Sequence, residues 1–176
     1  MRIRFFIVWI MALLRRKQEP IPDQSVLSFR VMPWDCVLRY MGNDRYHCFM
    51  DLGRIDLAFR LGWMGTMYRG RWQPQVVGCF ARYDRPLRTF DHFVLRTYVV
   101  HINGMSVWLA HHFEKGGIVY CSAISRVVAI SGSRVVPIES LINSKQERQV
   151  WPSWSNMERL FNKGNALLKK LSSIPF

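Results

Sequence analysis

Histidine and cysteine are the first candidates for chemistry in this sequence, because both residue types bind metals and serve as bases or nucleophiles. The four cysteines are far apart and form no Cys-x-x-Cys pair, so neither a zinc motif nor a dense disulfide framework is indicated. No His-Glu-x-x-His occurs, and the adjacent His111 and His112 would point to opposite faces of a strand. We therefore predict no metal site and reduced, mostly buried thiols.

Two common catalytic arrangements are also absent. The Gly-x-Ser-x-Gly motif of serine hydrolases does not occur, and His47 and Asp51 are one residue too close for the His-x-x-x-x-Asp motif of an acyltransferase. Asp51 and Arg54 have the i, i+3 spacing of a helical ion pair, which we favour over a catalytic role for Asp51.

The charge balance limits the classes of partner. A formal net charge of +13 favours a polyanion, which could be nucleic acid, an anionic lipid surface or a phosphorylated small molecule. The cations are spread along the chain without an RNP motif, zinc-finger spacing or basic heptad helix, so nucleic acid is the least favoured of the three.

Residues 1–19 form a basic and apolar segment. The apolar run 5–14 would span about 15 Å as a helix, roughly half of a hydrocarbon core. We expect an uncleaved helix that lies in a membrane interface or packs on the domain, with a signal anchor or a cleaved signal peptide as alternatives. Arg-Arg-Lys follows the run where a small-residue cleavage site would be needed.

The pattern after the prolines at 20 and 22 predicts one domain over residues 26–143. A strand over 26–31 precedes a helix over 45–61, which Asn43 or Asp44 could cap and Gly62 could close. This helix is apolar on more than one side and should be surrounded by protein. Gly53 in its middle suggests a close approach to a sheet.

Alternating apolar residues predict four further strands, over 76–83, 93–100, 106–113 and 118–130, joined as an antiparallel meander. The fold class is therefore α+β, with one strand, one buried helix and then four strands. An amphipathic helix over 151–172 would cover the sheet, meet a partner or contact a membrane.

The segment FRVMPWDCVLRYMGNDRY at 29–46 and its continuation MDLGRIDL at 50–57 resemble the 4-hydroxybenzoyl-CoA thioesterase-like branch of the hotdog superfamily. Relatives in that branch carry Asp-x-Asp-x-x-x-His-Met-Asn-Asn-x-x-Tyr before the buried helix. The segment RYDRPLRTF at 82–90 is similar to their Arg-x-x-Arg-x-Leu-x-x-Phe, and the resemblance covers roughly residues 27–143. It implies a hotdog fold, in which an antiparallel sheet wraps around a central helix.

The resemblance also implies a site. A carboxylate near the helix start acts on the acyl thioester, while helix-start amides polarise its carbonyl group. The catalytic positions implied here are Asp35 and the loop residues Gly42 and Asn43. The substrate-binding positions are Tyr40, Tyr46, Arg82 and Arg85, where the arginines would bind the phosphates of coenzyme A. For the same residues, a turn cap at Asp35, a core tyrosine at 46 and solvated arginines are the structural alternatives.

The chain departs from the family pattern in the loop itself. It has one residue fewer between Asp35 and Met41 and keeps one of the two acids, with Tyr40 in place of His and Gly42 in place of the first Asn. Two functions follow from the resemblance. One is hydrolysis of an acyl-CoA or a related acyl thioester, without a cofactor. The other is a non-catalytic hotdog protein that binds acyl thioesters or acts as a scaffold.

The expected assembly is a homodimer or a higher even oligomer, because a lone sheet leaves an open edge. We expect the protein in the cytoplasm, or peripherally on the inner face of a membrane.

Overall fold

The computed structural model describes residues 24–138. The long strands and the long helix follow one another in the expected order. In order they are β1 (Gln24–Arg30), a 3₁₀ turn (Pro33–Asp35), β2 (Cys36–Val37), β3 (Tyr40–Met41), α1 (Asn43–Arg60), α2 (Trp63–Gly70), β4 (Gln73–Tyr83), β5 (His92–Asn103), β6 (Ser106–Lys115), β7 (Ile118–Ser131) and β8 (Arg134–Val136). The helices expected over 1–19 and 151–172 lie outside the described residues. The domain limits 26–143 remain a prediction.

One curled antiparallel sheet dominates the structure, with α1 packed against it. The strand order is β1-β5-β6-β7-β4, and β8 pairs with β7. β2 and β3 form a separate two-stranded hairpin. The predicted α+β architecture, with a buried helix against an antiparallel sheet, is confirmed.

The predicted helix is present with small shifts at both ends. α1 begins two residues earlier than expected and ends at Arg60, because Gly62 adopts a left-handed φ of 74° that closes the helix. A second helix, α2, follows at once and was not predicted. It has only eight residues, and glycines at 62, 65 and 70 are typical of a loop.

Gly53 lies at the closest approach of α1 to the sheet. A β-carbon at this position would stand 2.3 Å from Thr97 Oγ1 and 3.1 Å from a methyl group of Leu95. Glycine is therefore required by the packing of the helix on β5, as its position in the middle of the helix suggested.

Buried side chains form two apolar clusters beneath the helices. The first surrounds the N-terminal half of α1 and includes Phe49, Phe93 and Phe113, whereas the second surrounds α2 and includes Trp63 and Leu109. Burial of this apolar surface is the main favourable term in the stability of the fold.

A row of buried polar residues crosses the sheet under α1. Ser25 pairs with Thr97 across β1 and β5, and Thr97 pairs with His111 across β5 and β6. Ser125 on β7 continues the row diagonally, and all four residues are fully buried. We call Ser25, Thr97, His111 and Ser125 the polar belt. Buried polar groups need hydrogen-bond partners, and two residues of α1, Arg54 and Asp56, supply partners to the belt.

Candidate functional site

A cavity of about 710 Å³ lies between the two helices and the sheet. Most of its lining is apolar. It includes Leu52, Ile55 and Ala58 from α1, Trp63, Met64 and Met67 from α2, and Val76, Val107, Leu109, Val127 and Ala129 from the sheet. Tyr68 also lines the cavity and is largely exposed, so the cavity opens to solvent at α2. Its size and lining are typical of a pocket for a small apolar group.

Asp51 and Arg54 place an ion pair in this apolar wall. An Arg54 Nη2–H donates to Asp51 Oδ1, and both residues line the cavity. The Asp51 carboxylate is exposed, whereas the Arg54 side chain is mostly buried. The arrangement gives the cavity one accessible carboxylate, held by a cation that is itself fixed. The ion pair expected from the i, i+3 spacing is therefore confirmed.

The polar belt holds Arg54 in place. Arg54 Nη1 donates to Ser125 Oγ at 3.4 Å, and Ser125 Oγ lies 2.9 Å from His111 Nε2. On the other side of the ring, His111 Nδ1 lies 3.1 Å from Thr97 Oγ1. A guanidinium can only donate, so Ser125 accepts from Arg54 and shares its remaining hydrogen-bonding capacity with the imidazole.

The surroundings of His111 disfavour its charged form. Burial lowers the pKa of His111 well below its ordinary value, and the nearby Arg54 cation lowers it further. A neutral imidazole has one donor and one acceptor nitrogen, and both of its partners are hydroxyl groups that can take either role. The chain of hydrogen bonds from Thr97 to Asp51 is thus complete with an uncharged histidine.

At the other end of the belt, Ser25 contacts a different carboxylate of α1, that of Asp56. Ser25 Oγ donates to Asp56 Oδ2 at 2.6 Å, and Arg60 Nε donates to the same oxygen at 2.6 Å. Asp56 is fully buried and its charge is compensated by these two contacts. This group ties α1 to β1 and is not part of the cavity lining.

Asp35 is placed at a turn rather than in the cavity wall. Its carboxylate accepts the Met32 N–H at 2.9 Å, and its carbonyl oxygen accepts the Gly42 N–H at 3.0 Å. The side chain is almost completely buried. These contacts match the turn-cap interpretation, and the catalytic role of Asp35 stays a prediction.

The structure brings Asp35, Gly42 and Asn43 together at the start of α1. Gly42 precedes the first helical turn, and its amide is engaged by Asp35. Asn43 is the first residue of the helix and is exposed. Tyr40, on β3, is partly exposed and forms a bridge with Arg88.

Tyr46 belongs to the core. Its ring packs edge-on against Tyr83 and Phe113, and its hydroxyl oxygen accepts the Leu87 N–H at 3.3 Å. Burial raises the pKa of Tyr46 to about 12, so the phenol stays protonated at neutral pH. The core interpretation of this residue fits its surroundings.

Arg82 and Arg85 lie together at and after the end of β4. Arg82 Nε donates to Asp84 Oδ1 at 2.7 Å and is largely exposed, and the Arg85 N–H donates to the Tyr120 carbonyl oxygen at 3.1 Å. None of the seven predicted site residues lines the cavity. Sequence reasoning missed the cavity because α2, which forms one wall, was not predicted.

The cysteines and the adjacent histidine pair also have defined places in the structure. Cys36, Cys48, Cys79 and Cys121 are free thiols. Cys121 is fully buried and the other three are partly buried, so the expectation of mostly buried thiols is met only in part. His111 and His112 point to opposite faces of β6, as their adjacency requires: His111 lies under α1, and His112 packs against the Tyr98 ring. Among residues 24–138, no three potential ligands are grouped to hold a metal ion. Neither helix of that region is long and apolar enough to cross a bilayer.

Comparison with known families and structures identifies relatives of this arrangement. The profile of the thioesterase-like superfamily matches residues 31–146. A gentisyl-coenzyme A thioesterase is 24% identical and covers 68% of this chain and 93% of its own, with a TM-score of 0.57. A probable thioesterase from Escherichia coli is 21% identical, covers 72% of this chain and 98% of its own, and has a TM-score of 0.60.

A third structure, 4-hydroxybenzoyl CoA thioesterase from a Pseudomonas species, is 17% identical and covers 69% of this chain and 100% of its own, with a TM-score of 0.59. These likenesses confirm the predicted hotdog fold. A search of curated proteins found no match.

Proposed function

The chain belongs to the thioesterase-like superfamily, and from this premise we propose that it hydrolyses an acyl thioester whose acyl group enters the cavity between α1, α2 and the sheet. The observation that carries the proposal is the accessible carboxylate of Asp51 in a mostly apolar wall. This assignment departs from the purely structural role that we favoured for Asp51 from the sequence. An apolar pocket with a few convergent polar groups suits an acyl chain that ends in a reactive carbonyl group.

The proposed chemistry needs one base and one water molecule. Asp51 accepts a proton from water as the water oxygen attacks the thioester carbon. The carbon–sulfur bond then breaks, and the leaving thiolate takes up the proton that Asp51 accepted, so the products are a carboxylic acid and a free thiol. Arg54 keeps the Asp51 carboxylate at the cavity wall, and the polar belt keeps Arg54 in position.

Asp35 is the competing candidate for the carboxylate, and it is the residue that the family resemblance selects. Its carboxylate is buried and caps a turn. For Asp35 to act on substrate, the loop 35–41 would have to release this carboxylate, because a reacting carboxylate must reach about 3–3.5 Å from the thioester carbon. Asp51 needs no such rearrangement to reach the cavity.

The test is hydrolysis by the purified full chain across short, long and aromatic acyl-CoA thioesters. We expect Asp51→Asn to lower kcat by at least about a hundredfold, because general-base catalysis typically contributes that much. Asp44→Asn is the matched control, since Asp44 is an exposed carboxylate on the first turn of the same helix and lies outside the cavity lining. It should leave kcat unchanged.

The parallel variant Asp35→Asn separates the two assignments. If Asp51 is the base, Asp35→Asn should lower the melting temperature, because the charge-assisted contact with the Met32 amide is weakened. The kcat of this variant should stay close to that of the wild type. A loss of activity in Asp35→Asn with full activity in Asp51→Asn would overturn our assignment and support the residue chosen from the sequence.

Coenzyme A is the thiol carrier that we propose, with Arg82 and Arg85 as contacts for its phosphates. Both are cations on one exposed stretch, and arginine binds phosphate through paired N–H groups. Arg85→Ala should raise KM for an acyl-CoA while it leaves kcat nearly unchanged. The control is a simple thioester that lacks phosphates, for which Arg85→Ala and the wild type should have the same KM.

The second candidate is a non-catalytic hotdog protein that binds acyl thioesters. The engaged Gly42 amide and the capping contact of Asp35 favour it, because both remove groups that the family motif would offer to a substrate. Acyl-CoA binding without turnover on any substrate of the panel would establish this alternative in place of hydrolysis.

A further inference from the structure

Five exposed apolar side chains lie on or beside the short β2–β3 hairpin. Trp34, Val37, Leu38 and Phe90 each expose more than half of their surface, and Tyr40 nearly half. We call these five residues the hairpin patch. Single exposed apolar residues are common on protein surfaces, but a contiguous group marks a surface that binds something.

Backbone contacts hold the patch together. Val37 and Tyr40 are paired across β2 and β3, and Tyr40 forms a bridge with Arg88. The Thr89 N–H donates to the Arg39 carbonyl oxygen at 3.2 Å, which places Phe90 beside the hairpin. Trp34 precedes the hairpin in the 3₁₀ turn. The patch is thus one small surface built on a paired backbone.

Two of its members occupy a backbone conformation that side chains seldom adopt. Leu38 has φ 60° and Phe90 has φ 69°. This conformation is disfavoured for residues other than Gly, Asn and Asp. Leu38 gains nothing from burial in return, since it is 95% exposed at the tip of the hairpin. At both Leu38 and Phe90, the unfavourable backbone conformation coincides with an apolar side chain that is exposed to solvent.

The charges around the patch are positive. Arg39 at the hairpin tip and Arg88 beside Tyr40 are both exposed. The nearby acid Asp91 is already engaged, because its carboxylate accepts from Lys115 Nζ at 2.6 Å and from the Arg88 N–H at 2.9 Å. The surface therefore combines protruding apolar groups with cations.

We infer that the hairpin patch is a membrane-docking surface that inserts Leu38 and Trp34 into the interface of a leaflet containing anionic lipids. The patch protrudes as a two-residue turn, so its tip can enter the interface ahead of the rest of the domain. Tryptophan and tyrosine favour the membrane–water interface, and arginine binds lipid phosphate. None of the five residues of the hairpin patch lines the cavity of the proposed hydrolytic site.

The experiment measures partition of the full chain onto vesicles of phosphatidylcholine alone or with phosphatidylserine. Trp34→Ser combined with Leu38→Ser should lower the partition coefficient on mixed vesicles by about tenfold, because both side chains leave the interface. Met105→Ser combined with Val135→Ser is the matched control, since these residues are similarly apolar and partly exposed at the β5–β6 turn and on β8. The control should bind as the wild type does.

A second pair of variants tests the charge. Arg39→Gln combined with Arg88→Gln should reduce the difference between mixed and neutral vesicles and weaken its dependence on salt. Unchanged thermal melting of all variants is expected, because the substituted side chains are exposed.

Equal partition of the Trp34 and Leu38 variant and the wild type would overturn the inference, as would a wild type that binds neither kind of vesicle. A variant that alters the oligomeric state at unchanged lipid affinity would also overturn it and would assign the patch to a second copy of the chain.

Discussion

Gly53 and Thr97 are in contact across the interface between α1 and β5, with no room for a single additional carbon between them. This contact sets how closely the helix approaches the sheet. The next residue of the helix, Arg54, therefore reaches Ser125 on the sheet while it still lines the cavity.

Gly53→Ala should destabilise the fold by about 2 kcal/mol, because the new methyl group would force α1 away from Thr97. Gly65→Ala is the matched control. Gly65 lies in α2 with open space where a β-carbon would stand, so this change should stabilise the protein by about 0.5–1 kcal/mol. Chemical denaturation measures both values, and equal effects of the two substitutions would contradict the contact.

The neutral state of His111 makes folding stability depend on pH. The pKa of His111 is lowered in the folded protein, so the unfolded chain binds more protons around and below pH 6.5. Stability contributed by the neutral imidazole is therefore present above pH 6.5 and is lost as the pH falls from there towards the lowered pKa. Within that window the slope is about 1.4 kcal/mol per pH unit for one proton.

His111→Gln should remove this slope between pH 6.5 and the onset of acid unfolding, at the expense of lower stability at neutral pH. His112→Gln is the control on the opposite face of the strand. Burial also lowers the pKa of His112, but Glu114 opposes that effect, so its contribution to the slope should be smaller. Denaturation measured at several pH values checks both variants, and a wild-type slope in His111→Gln would refute the assignment.

Ala58→Phe should shorten the acyl group that the protein accepts. Ala58 lines the cavity from α1, and a phenyl ring there would occupy part of the 710 Å³. We expect kcat/KM to fall for long acyl-CoAs and to change little for short ones. Ala81→Phe, on β4 outside the cavity lining, is the comparison, and a uniform loss across chain lengths in Ala58→Phe would argue against the acyl assignment.

β4 should mediate self-association, because it forms an edge of the sheet in the described region and is eleven residues long. Val77, at the bulge of this strand, is half-exposed. Val77→Lys should raise the dimer dissociation constant at least about tenfold, since a lysine on an edge opposes strand pairing. Val135→Lys on β8 controls for added charge. Sedimentation of a monomeric wild type at micromolar concentration would contradict the prediction.

Much of the fold could be predicted because the responsible forces are local. Alternation of apolar residues marks the strands, and Gly62 marks the end of α1. The single glycine in the middle of the helix even indicated the contact with the sheet. α2 escaped prediction because its eight residues depend on Trp63 and Met67 packing into the core, which no local pattern reveals.

The candidate site was harder to predict, because it depends on contacts between residues distant in sequence. Arg54 and Ser125 are 71 positions apart, and His111 could be distinguished from an ordinary core residue only once its two hydroxyl neighbours were known. The motif around Asp35 directed attention to the helix start. The cavity lies further along the helix, where the sequence offered only the spacing of Asp51 and Arg54.

The polar belt also divides the interior of the protein into two regions that differ in packing. Side chains on one side of it, around Phe49 and Phe93, pack tightly, whereas those on the other side, around Trp63 and Leu109, enclose empty space. Hydrogen bonds are directional, so a row of them resists the sliding that apolar contacts allow. We expect changes of pocket shape to stop at this boundary. Substitutions that reshape the pocket for other ligands should therefore leave the packing around Phe49 and Phe93 unchanged.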